Sequence, residues 1–377
     1  MAVITHITSV HERYDARIFL KECRSLAQRG HTVTLLVADG REVETRDGVR
    51  IESVRKIRSR LARMGLSTFL LLFRARALNA EIYHLHDPEL IPLGLLLKLG
   101  GAKVVFDAHE DLPKQILSKP YIPGLLRRPL AALTAVFLRC TLVWMDGLVA
   151  VTSAVKESLR PARSRCEIIN NYPIQGELDA GTRHPNPERA VCYLGGITRI
   201  RGLIELVQAM ALLPEDVRLK LAGAMDEPGI EKVLKELPGW RHVDYLGLVS
   251  RSAMGEVMAN CVGGVVTYLP EPNHLEAQPN KLFEYMSAGL PVIGSDFPLW
   301  RAILNEGPCG LCVDPQDPRA IADAIVVLLS QPDMVSTMGW NGQRAVRERF
   351  NWEMEAINLG AFYDSLLTSG DKVPKAV

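Results

Sequence analysis

Short apolar runs alternate with longer stretches of helical periodicity along the first half of the chain. Five runs rich in β-branched residues predict strands, at residues 3–8, 32–37, 82–86, 103–107 and 147–152. Between the first two runs, residues 18, 19, 23, 26 and 27 form one apolar face, which predicts a helix capped near residue 15. A repeated strand–helix–strand unit implies the α/β class, with a parallel sheet covered on both faces.

The alternation is interrupted once and then starts again. Residues 170–189 are rich in Pro, Gly and Asn, a composition that interrupts regular structure. After this segment, runs at 191–194, 218–221, 264–268, 291–294 and 311–313 predict strands. Stretches at 204–213, 230–236, 253–260, 282–288 and 320–329 predict the helices between them, and residues 334–367 predict two more.

The pattern therefore predicts two doubly wound α/β domains, at residues 1–170 and 190–345, joined by a linker at 171–189. The remaining residues, 346–377, are expected to contribute a helix that packs back on the first domain. Doubly wound sheets bind ligands beyond the carboxyl ends of their strands, so a ligand site is expected in the cleft between the domains.

The composition agrees with two globular domains and shows a charge difference between them. The 377 residues are 47% hydrophobic and 23% charged, which excludes a disordered chain and a disulfide-rich scaffold. A net charge of +1 gives no overall field that would favour nucleic acid as a partner. Residues 1–170 nevertheless carry 26 Lys and Arg against 17 Asp and Glu, and residues 171–377 carry 18 against 26. The basic half points to an anionic partner, although solvated surface charge alone would also produce the difference.

The apolar segments and the cysteines both favour a cytoplasmic protein. The N-terminal residues have no basic region before their apolar run, unlike a signal peptide. The longest apolar stretch, 129–145, is interrupted by Arg139 and is too short for a membrane span. The seven cysteines are scattered through mostly apolar segments and are expected to be reduced core residues. The pair Cys309 and Cys312 alone lacks the ligand count of a metal site.

The stretch most informative about chemistry is residues 271–296, Glu-Pro-Asn-His-Leu-Glu-Ala-Gln-Pro-Asn-Lys-Leu-Phe-Glu-Tyr-Met-Ser-Ala-Gly-Leu-Pro-Val-Ile-Gly-Ser-Asp. A helix is expected to begin at Asn280, with Glu284 one turn inside it and Glu276 in the loop before it. Free backbone amides near Lys281 and Leu282 then form a phosphate site, to which the ammonium of Lys281 adds charge. The two carboxylates can contact two hydroxyl-bearing parts of one ligand, or they are ordinary surface acids.

This stretch resembles the donor-site signature of retaining glycosyltransferases of family 4, which have the GT-B fold of two Rossmann-like domains facing a cleft. The resemblance covers nearly the whole chain. It rests on Glu276 and Glu284 with seven residues between them, and on the segments at 193–203 (Tyr-Leu-Gly-Gly-Ile-Thr-Arg-Ile-Arg-Gly-Leu), 221–223, 245–250 and 349–352. In the first half, residues 84–94 and 104–111 resemble members that build bacterial surface polysaccharides.

The resemblance implies roles for individual residues. Glu276 would approach the donor sugar hydroxyls and Glu284 the nucleotide ribose, while His109 would face the cleft near the transferred sugar. His86 and Asp87, at the end of another first-domain strand, would contact the acceptor. A histidine after Val-Val-Phe-Asp can instead be a hydrogen-bonded structural residue. The loop around Val249 is expected to shape the donor site.

The sequence departs from the family pattern in the second domain. Family members usually carry Gly-Arg after the first strand and Lys-Gly five residues later, and both cations bind the donor diphosphate. Here Gly195 is followed by Gly196 at the Arg position, and Arg201 stands at the Lys position. Arg201 can still neutralise phosphate, and Arg199 is a candidate for the missing partner.

A second departure lies at the first turn of the first domain. The family commonly has a glycine-rich loop there, whereas this chain has Ser-Val-His-Glu-Arg-Tyr-Asp-Ala-Arg at 9–17. Without glycine the backbone approaches a ligand less freely, so His11, Asp15 and Arg17 are expected to bind on the acceptor side. Alternatively, Asp15 only caps its helix.

The reaction implied by the resemblance needs no metal cofactor. The chain has no Asp-x-Asp motif, the usual carboxylate pair for a metal-bound nucleotide diphosphate. The charge of the leaving group would be stabilised by Arg201, Arg199, Lys281 and the helix amides. We expect transfer from a nucleotide-diphosphate sugar with retention at the anomeric carbon, in which the departing phosphate takes the acceptor proton. A covalent intermediate is the competing mechanism, although no nucleophile for it is identifiable.

Two basic, apolar stretches suggest a membrane partner. Residues 55–76 contain seven Lys and Arg and no acid, and residues 122–133 have a similar character. They would hold the enzyme on the inner leaflet, near a glycan or lipid-diphosphate-linked acceptor. Alternatively, both are ordinary helices with one buried and one solvated face.

Three other functions are compatible with two α/β domains. A nucleotide-sugar epimerase can share the GT-B architecture, although the donor-site pattern is closer to that of transferases. A nicotinamide-dependent oxidoreductase is disfavoured because no Gly-x-Gly-x-x-Gly follows either opening strand. A noncatalytic sugar-nucleotide-binding protein would have the same fold and donor contacts.

Overall fold

The chain folds into two compact units. The computed structural model describes residues 1–57, 59, 63–119, 122–159, 164–178, 184, 187–225 and 227–368. The first unit comprises Met1–Asn171 and Trp352–Val377, and the second comprises Tyr172–Asn351. The first boundary lies one residue after the predicted one, and the return to the first unit falls within the tail expected to pack back on it.

The first unit contains an eight-stranded sheet. Its strands are Val3–Ile7 (β1), Thr32–Val37 (β2), Glu44–Arg46 (β3), Val49–Ser53 (β4), Ile82–Leu85 (β5), Lys103–Ala108 (β6), Gly147–Ala150 (β7) and Cys166–Ile168 (β8). Their order is β3-β4-β2-β1-β5-β6-β7-β8, and every pairing is parallel except that of β3 with β4. The strand order reverses direction between β1 and β5, which is where such sheets bind ligands.

The antiparallel β3–β4 hairpin corrects the expectation of a purely parallel sheet. Its turn, Asp47-Gly48, has positive φ at both residues, 50° and 78°. This is the geometry of a two-residue hairpin turn, for which Asp-Gly is a favoured sequence. Both strands are short and β3 is largely exposed, so neither shows a long apolar run.

Helices cover both faces of the first sheet. They are Arg24–Gln28 (α1), Thr68–Leu78 (α2), Ile91–Leu99 (α3), Leu112–Leu117 (α4), Gly124–Leu142 (α5) and Ser153–Leu159 (α6). Two of them continue from π-helical turns, Ile18–Cys23 before α1 and Arg63–Ser67 before α2. The predicted first helix is thus π-helical in its first half. Asp15 caps it as expected, because its Oδ1 accepts hydrogen bonds from the backbone N–H groups of Arg17 and Ile18.

The second unit contains a six-stranded, fully parallel sheet. Its strands are Ala190–Leu194 (β9), Arg218–Ala222 (β10), Val243–Gly247 (β11), Gly263–Val266 (β12), Val292–Ser295 (β13) and Gly310–Val313 (β14), in the order β11-β10-β9-β12-β13-β14. The helices are Leu203–Met210 (α7), Ile230–Glu236 (α8), Arg251–Ala259 (α9), Asn280–Ser287 (α10), Pro298–Glu306 (α11), Pro318–Ser330 (α12) and Pro332–Glu348 (α13). The prediction of two doubly wound α/β domains is confirmed. The edge strand β11 and helix α11 were not predicted.

The segment predicted as a linker is partly built into the second unit. Tyr172 packs edge-on against Phe283 and Phe350, with ring centroids 4.8 and 5.3 Å apart, and Leu178 is buried in the same core. Residues 179–183 and 185–186 of this segment lie outside the described residues.

The last helix, Trp352–Thr368 (α14), belongs to the first unit. The Nε1 of Trp352 donates to Ser25 Oγ at 2.8 Å, and Tyr363 and Phe362 are fully buried. Glu355 accepts hydrogen bonds from the backbone and side-chain nitrogens of Asn170 at 3.0 and 3.1 Å. The helix therefore completes the core of a domain that the chain left some 180 residues earlier.

Two observations bear on the predicted cysteine chemistry and membrane topology. Cys23, Cys192, Cys261 and Cys309 are buried thiols as expected, but Cys140 is exposed and Cys166 and Cys312 are half-buried. Among the described residues, no single helix has both the length and the apolar character of a membrane span. Within the described part of the chain, one bent pair, 318–330 with 332–368 across a 100° bend, satisfies both criteria when its members are taken together.

We predict that Gly202→Ala destabilises the second unit much more than Gly229→Ala. Both glycines cap a helix with φ near +75°, namely 73° and 79°, so each alanine variant loses about 1–2 kcal/mol to the left-handed backbone. A Cβ on Gly202 would also overlap with the carbonyl of Thr267, whereas Gly229 has open space around it. We expect an additional cost of about 2 kcal/mol for Gly202→Ala, measured by urea unfolding. Equal costs would contradict this packing argument.

Candidate active site

The polar residues that follow β1, β5 and β6 meet at the carboxyl edge of the first sheet. Asp87 follows β5 and is 3% exposed. Its Oδ2 accepts hydrogen bonds from Thr8 Oγ1 at 2.8 Å and from the backbone N–H of Ser9 at 2.6 Å. Asp87, predicted as an acceptor-side residue, therefore also ties the turn after β1 to the end of β5.

Arg17, expected to bind on the acceptor side, instead lies buried behind this edge, with 3% of its surface exposed. Its Nε and Nη2 donate to the two carboxylate oxygens of Asp107 at 2.9 and 3.0 Å, and its Nη1 donates to the carbonyl of Ile169 at 3.0 Å. Glu22 Oε1 lies 3.0 Å from Arg17 Nε. Burial alone would raise the pKa of Asp107, but the charge of Arg17 and the contact with His109 hold it well below its usual range.

His109, predicted as catalytic, is the partly exposed member of this cluster. Its Nε2 lies 3.0 Å from Asp107 Oδ2 and 3.3 Å from Nδ1 of His86, and its side chain is 20% exposed. A carboxylate that contacts one ring nitrogen fixes the tautomer and the orientation of the imidazole. The other ring nitrogen, Nδ1, is then the one available to a ligand.

His11 stands beside His109, with 5.0 Å between the ring centroids. Its Nδ1 lies 3.2 Å from Asp15 Oδ2, and its Nε2 lies 3.5 Å from Asp87 Oδ1. Burial disfavours the charged ring, but the hydrogen bond with Asp15 and the charges of both carboxylates raise the pKa of His11 above its usual value. The structure thus brings His11, Asp15, Asp87 and His109 together.

Three further histidines extend the cluster into the core. His86 Nε2 lies 2.9 Å from Nδ1 of His6, and His84 Nδ1 lies 2.6 Å from the hydroxyl of Tyr363. Burial lowers the pKa of His86 to about 4 and places those of His6 and His84 well below the usual value. These rings are therefore neutral, and His86, predicted to touch the acceptor, is buried behind His109.

In the second unit, two cations converge on the glycines that follow β9. Arg201 Nη1 donates to the carbonyl of Gly196 at 2.9 Å, and Lys281 Nζ donates to the hydroxyl of Tyr268 at 3.2 Å. The Arg201 guanidinium and the Lys281 ammonium each lie 5.7 Å from the centre of the Tyr268 ring. Burial would raise the pKa of Tyr268, but these two charges bring it below its usual value.

Two glycines lie against these cations. A Cβ on Gly195 would overlap with the end of the Lys281 side chain, and a Cβ on Gly196 would overlap with the Arg201 guanidinium. Gly195 also has φ of 135° and contacts Gly223, which follows β10 with φ of 146°. Position 196, where the family usually has arginine, is glycine here, and the guanidinium of Arg201 occupies the space beside it.

Glu284 has a partner that the sequence did not indicate. Its Oε1 accepts hydrogen bonds from Nη1 and Nη2 of Arg251, both at 3.1 Å. Arg251 also contacts Glu177, with Nη2 donating to Oε2 at 2.9 Å. Arg251 is the first residue of α9, directly after the predicted loop at 248–250, but no spacing in the sequence linked it to Glu284.

The other predicted donor residues differ in their surroundings. Nε of Arg199 donates to Glu227 at 2.9 Å, so Arg199 does not join Arg201 and Lys281 beside Gly196. Leu282 is buried in the core, so its backbone alone is available to a ligand, whereas Val249 packs against the core and is half-buried. Asn280 begins α10 as predicted, next to Lys281, and Glu276 is exposed in the loop before the helix. Thr198, Thr267 and Gln278 add buried side-chain oxygens that have no hydrogen bond.

Two family models match the two halves of this chain. Residues 16–172 match the model described as Glycosyltransferase Family 4, and residues 188–331 match the model described as Glycosyl transferases group 1. The phosphatidyl-myo-inositol mannosyltransferase of Mycobacterium leprae is 26% identical over 316 residues, which cover 78% of this chain and 76% of that protein. The D-inositol 3-phosphate glycosyltransferase of Corynebacterium urealyticum is 30% identical over 205 residues, which cover 50% and 46%.

Solved structures share the fold along the whole chain. The sucrose-phosphate synthase of Thermosynechococcus elongatus has a TM-score of 0.79 at 20% identity, and covers 98% of this chain and 100% of its own. Alr3699/HepE of Anabaena, solved with UDP and glucose, has a TM-score of 0.72 at 15% identity, and covers 97% and 100%. The expected GT-B fold, with two Rossmann-like domains, is confirmed.

We predict that Arg17→Met destabilises the first unit by about 3–5 kcal/mol, because it leaves the buried Asp107 without its charge partner. The control is Arg24→Met, also in the first unit, whose ion pair with Asp47 is partly exposed at 3.3 Å. That change should cost less than about 1 kcal/mol. Urea unfolding of both variants measures the difference. Similar costs would contradict a special role for the buried pair.

Proposed function

This chain belongs to the family 4 glycosyltransferases, and we propose that it transfers a sugar from a nucleotide-diphosphate sugar to a glycan or lipid-linked hydroxyl. The observation that carries the donor assignment is the pair of cations, Arg201 and Lys281, beside Gly195 and Gly196. We place the reaction in the biosynthesis of bacterial polysaccharides or glycoconjugates.

The second unit is proposed to bind the donor diphosphate. The guanidinium of Arg201 offers planar, bidentate geometry for phosphate, and Lys281 adds a point charge. Lys281 is also the second residue of α10, whose first-turn backbone amides carry partial positive charge. Because a phosphate oxygen can replace the carbonyl of Gly196 as the acceptor for Arg201, the cation can move to the ligand at small cost.

Two carboxylates are proposed to recognise the sugars of the donor. Glu284 would accept hydrogen bonds from the ribose hydroxyls, and Arg251 orients it from the side with two donors at 3.1 Å. Glu276, exposed in the loop before α10, would contact hydroxyls of the transferred sugar. We propose Arg251 as a positioning residue, since it contacts Glu284 and the neighbouring Glu177.

The first unit is proposed to supply His109 to the transferred sugar and to bind the acceptor. Asp107 contacts Nε2 of His109, so Nδ1 is free to bind a sugar hydroxyl. His11 and Asp15 lie next to it on the acceptor side. Two relatives are named for phosphorylated inositols, as a phosphatidyl-myo-inositol mannosyltransferase and a D-inositol 3-phosphate glycosyltransferase. A hydroxyl carried by an anionic acceptor fits the basic character of residues 1–170.

We propose that transfer retains the anomeric configuration and needs no metal. The bond between the anomeric carbon and the diphosphate breaks, the acceptor oxygen binds that carbon from the same face, and the acceptor proton passes to the departing phosphate. Arg201 and Lys281 would supply the positive charge that a metal supplies elsewhere. The anomeric configuration of the product, read by NMR, tests retention once an acceptor is known.

We predict that one nucleotide class, offered as the diphosphate or its sugar conjugate in the presence of EDTA, raises the Tm of the protein. A ligand that binds only the folded state stabilises it by about 2.7 kcal/mol at a hundredfold excess over Kd. A thermal-shift screen with UDP, GDP, ADP and TDP measures this effect. The shift should be lost in Arg201→Met and Glu284→Gln, and should remain in the control Arg218→Met, whose side chain binds Asp244 on the edge strand β11.

This screen, together with an analysis of the products formed with and without acceptor, distinguishes the alternative functions. A folded protein that no nucleotide stabilises would contradict the donor site, and a shift that depends on Mg²⁺ would contradict metal independence. Binding without turnover on any acceptor would favour the noncatalytic reading. A changed nucleotide sugar formed without an acceptor would favour an epimerase.

We further propose that the first unit attaches peripherally to the inner face of an anionic membrane. Helix α5 buries only Ala131, Leu138 and Leu142, while Leu125 and Leu133 are 93% and 68% exposed. Residues 112–145 contain no Asp or Glu and five Lys and Arg. Phe69 and Phe73 on α2 are 54% and 58% exposed in the other basic stretch. Of that stretch, Arg58 and Arg60 lie outside the described residues.

An exposed apolar helix with basic flanks and no acid fits a surface of anionic lipid. We predict that the protein floats with vesicles containing phosphatidylglycerol and not with pure phosphatidylcholine vesicles, and that Leu133→Glu reduces flotation at least about tenfold because it places a charge against the lipid. The matched control is Val326→Glu, 45% exposed on α12. No binding of the wild-type protein to anionic vesicles would refute the membrane proposal.

A further inference from the structure

Behind the candidate active site, four side chains of the first unit point buried nitrogen and oxygen atoms at one another. They are His6 on β1, Glu22 before α1, His84 on β5 and His86 directly after β5. Each offers one ligating atom, and these four atoms all lie within 4.8 Å of one another. All four residues are at most 3% exposed. The proposed transfer reaction uses neither His6, Glu22 nor His84.

The distances within this cluster match those around a small metal ion. Nδ1 of His6 and Nε2 of His86 are 2.9 Å apart, and Oε2 of Glu22 lies 3.8 and 3.9 Å from them. The point equidistant from these three atoms is about 2.1 Å from each, the length of a bond from zinc to nitrogen or to a carboxylate oxygen. His84 would complete the four-coordinate set.

The other nitrogen of each ring has the kind of partner that metal-binding histidines have. Nδ1 of His86 lies 3.4 Å from the Asp107 carboxylate. The hydroxyl of Tyr363 lies 3.4 Å from Nε2 of His6 and 2.6 Å from Nδ1 of His84. Such outer partners fix the ring orientation and the tautomer that leaves the ligating nitrogen unprotonated. The tyrosine is on α14, so the last helix contributes to the arrangement.

The cluster also contains polar atoms that the protein itself does not satisfy. Neither carboxylate oxygen of Glu22 has a hydrogen bond, although Oε1 lies 3.0 Å from Arg17 Nε, and Nε2 of His84 has no hydrogen bond either. Arg17 brings one positive charge to two buried carboxylates, those of Asp107 and Glu22. If both carboxylates were ionised, one negative charge in the core would be uncompensated, which costs several kcal/mol; burial and the neighbouring Asp107 accordingly raise the pKa of Glu22 well above its usual value. A proton on Glu22 or a bound cation would remove this cost.

From these observations we propose that His6, Glu22, His84 and His86 form a structural zinc site in the first unit. Three neutral imidazoles and one carboxylate are donors that zinc accepts, and a fully buried four-ligand set leaves no position for substrate. The ion would join β1, β5 and the first helix, and it would fix His86 behind His109. This site is separate from the donor diphosphate site, so the proposal does not depend on the proposed function.

The first test is the metal content of the purified full-length chain, without added chelator, by mass spectrometry for zinc, iron, manganese, nickel and copper. We expect about one zinc per folded chain. Glu22→Gln and His84→Gln should each lower the zinc content at least about tenfold, since a structural site loses most of its affinity with one ligand. A wild-type chain with less than about a tenth of an ion overturns the proposal and assigns a proton to Glu22.

Two controls locate the ion. His242→Gln removes another buried histidine, which binds the carbonyl of Val217 in the second unit, and should keep the zinc. His109→Gln should keep it too, although His86, Asp107 and His109 form a neighbouring group of ligating atoms. If His109→Gln loses the ion and His84→Gln retains it, the metal lies in that neighbouring group and the proposal is wrong.

A second measurement uses only the wild-type protein, so it tests the proposal even if the variants do not fold. Wild-type protein produced with cobalt should show the intense visible bands of a four-coordinate ion, because cobalt commonly replaces zinc in such sites. Removing the ion with a chelator should lower the Tm of the wild-type protein, since the bound ion stabilises only the folded state. Weak, six-coordinate cobalt bands or an unchanged Tm after metal removal would overturn the assignment.

Discussion

A single guanidinium, that of Arg17, is shared by two carboxylates buried at the carboxyl edge of the first sheet, those of Asp107 and Glu22. It binds both oxygens of Asp107 and approaches Glu22, and it also donates to the carbonyl of Ile169. Because Asp107 stays ionised, it can contact His109 and hold that ring at the edge of the sheet. The proposed catalytic histidine is therefore positioned by a buried ion pair. Burying these charges costs desolvation free energy, and the ion pair in return fixes the positions of the side chains it joins.

The second unit leaves room for two cations close to the backbone, where the donor diphosphate is proposed to bind. Gly195 and Gly223 have positive φ and contact each other where β9 and β10 end, so side chains are excluded from that edge. Arg201 and Lys281 extend into the space that is left, and Tyr268 contacts both. Position 196 is glycine instead of the family's usual arginine, and the Arg201 guanidinium packs against it.

The two units also differ in how polar groups are buried. Neutral histidines and paired carboxylates fill the interior edge of the first sheet, and the proposed zinc ion would remove its uncompensated charge. In the second unit, the buried side-chain oxygens without a hydrogen bond include those of three neutral residues, Thr198, Thr267 and Gln278, and one carboxylate oxygen, Glu205 Oε2. Neutral oxygens cost less to bury than charges and are free to bind a sugar or a nucleotide. Both edges follow strands that flank a reversal of strand order, the place where parallel sheets bind ligands.

The sequence by itself determined the α/β class, the two sheets and the positions of most strands, because apolar periodicity reports which faces are buried. The spacing of residues 276–284 made Lys281 and Glu284 candidate site residues, and the family resemblance added His109. The sequence did not predict the edge strands β3 and β11, because exposed strands have no long apolar run. Only the tertiary structure paired Arg251 with Glu284 and brought the histidines together around Glu22. These contacts join residues far apart in sequence, and no local pattern reports which side chains the fold brings together.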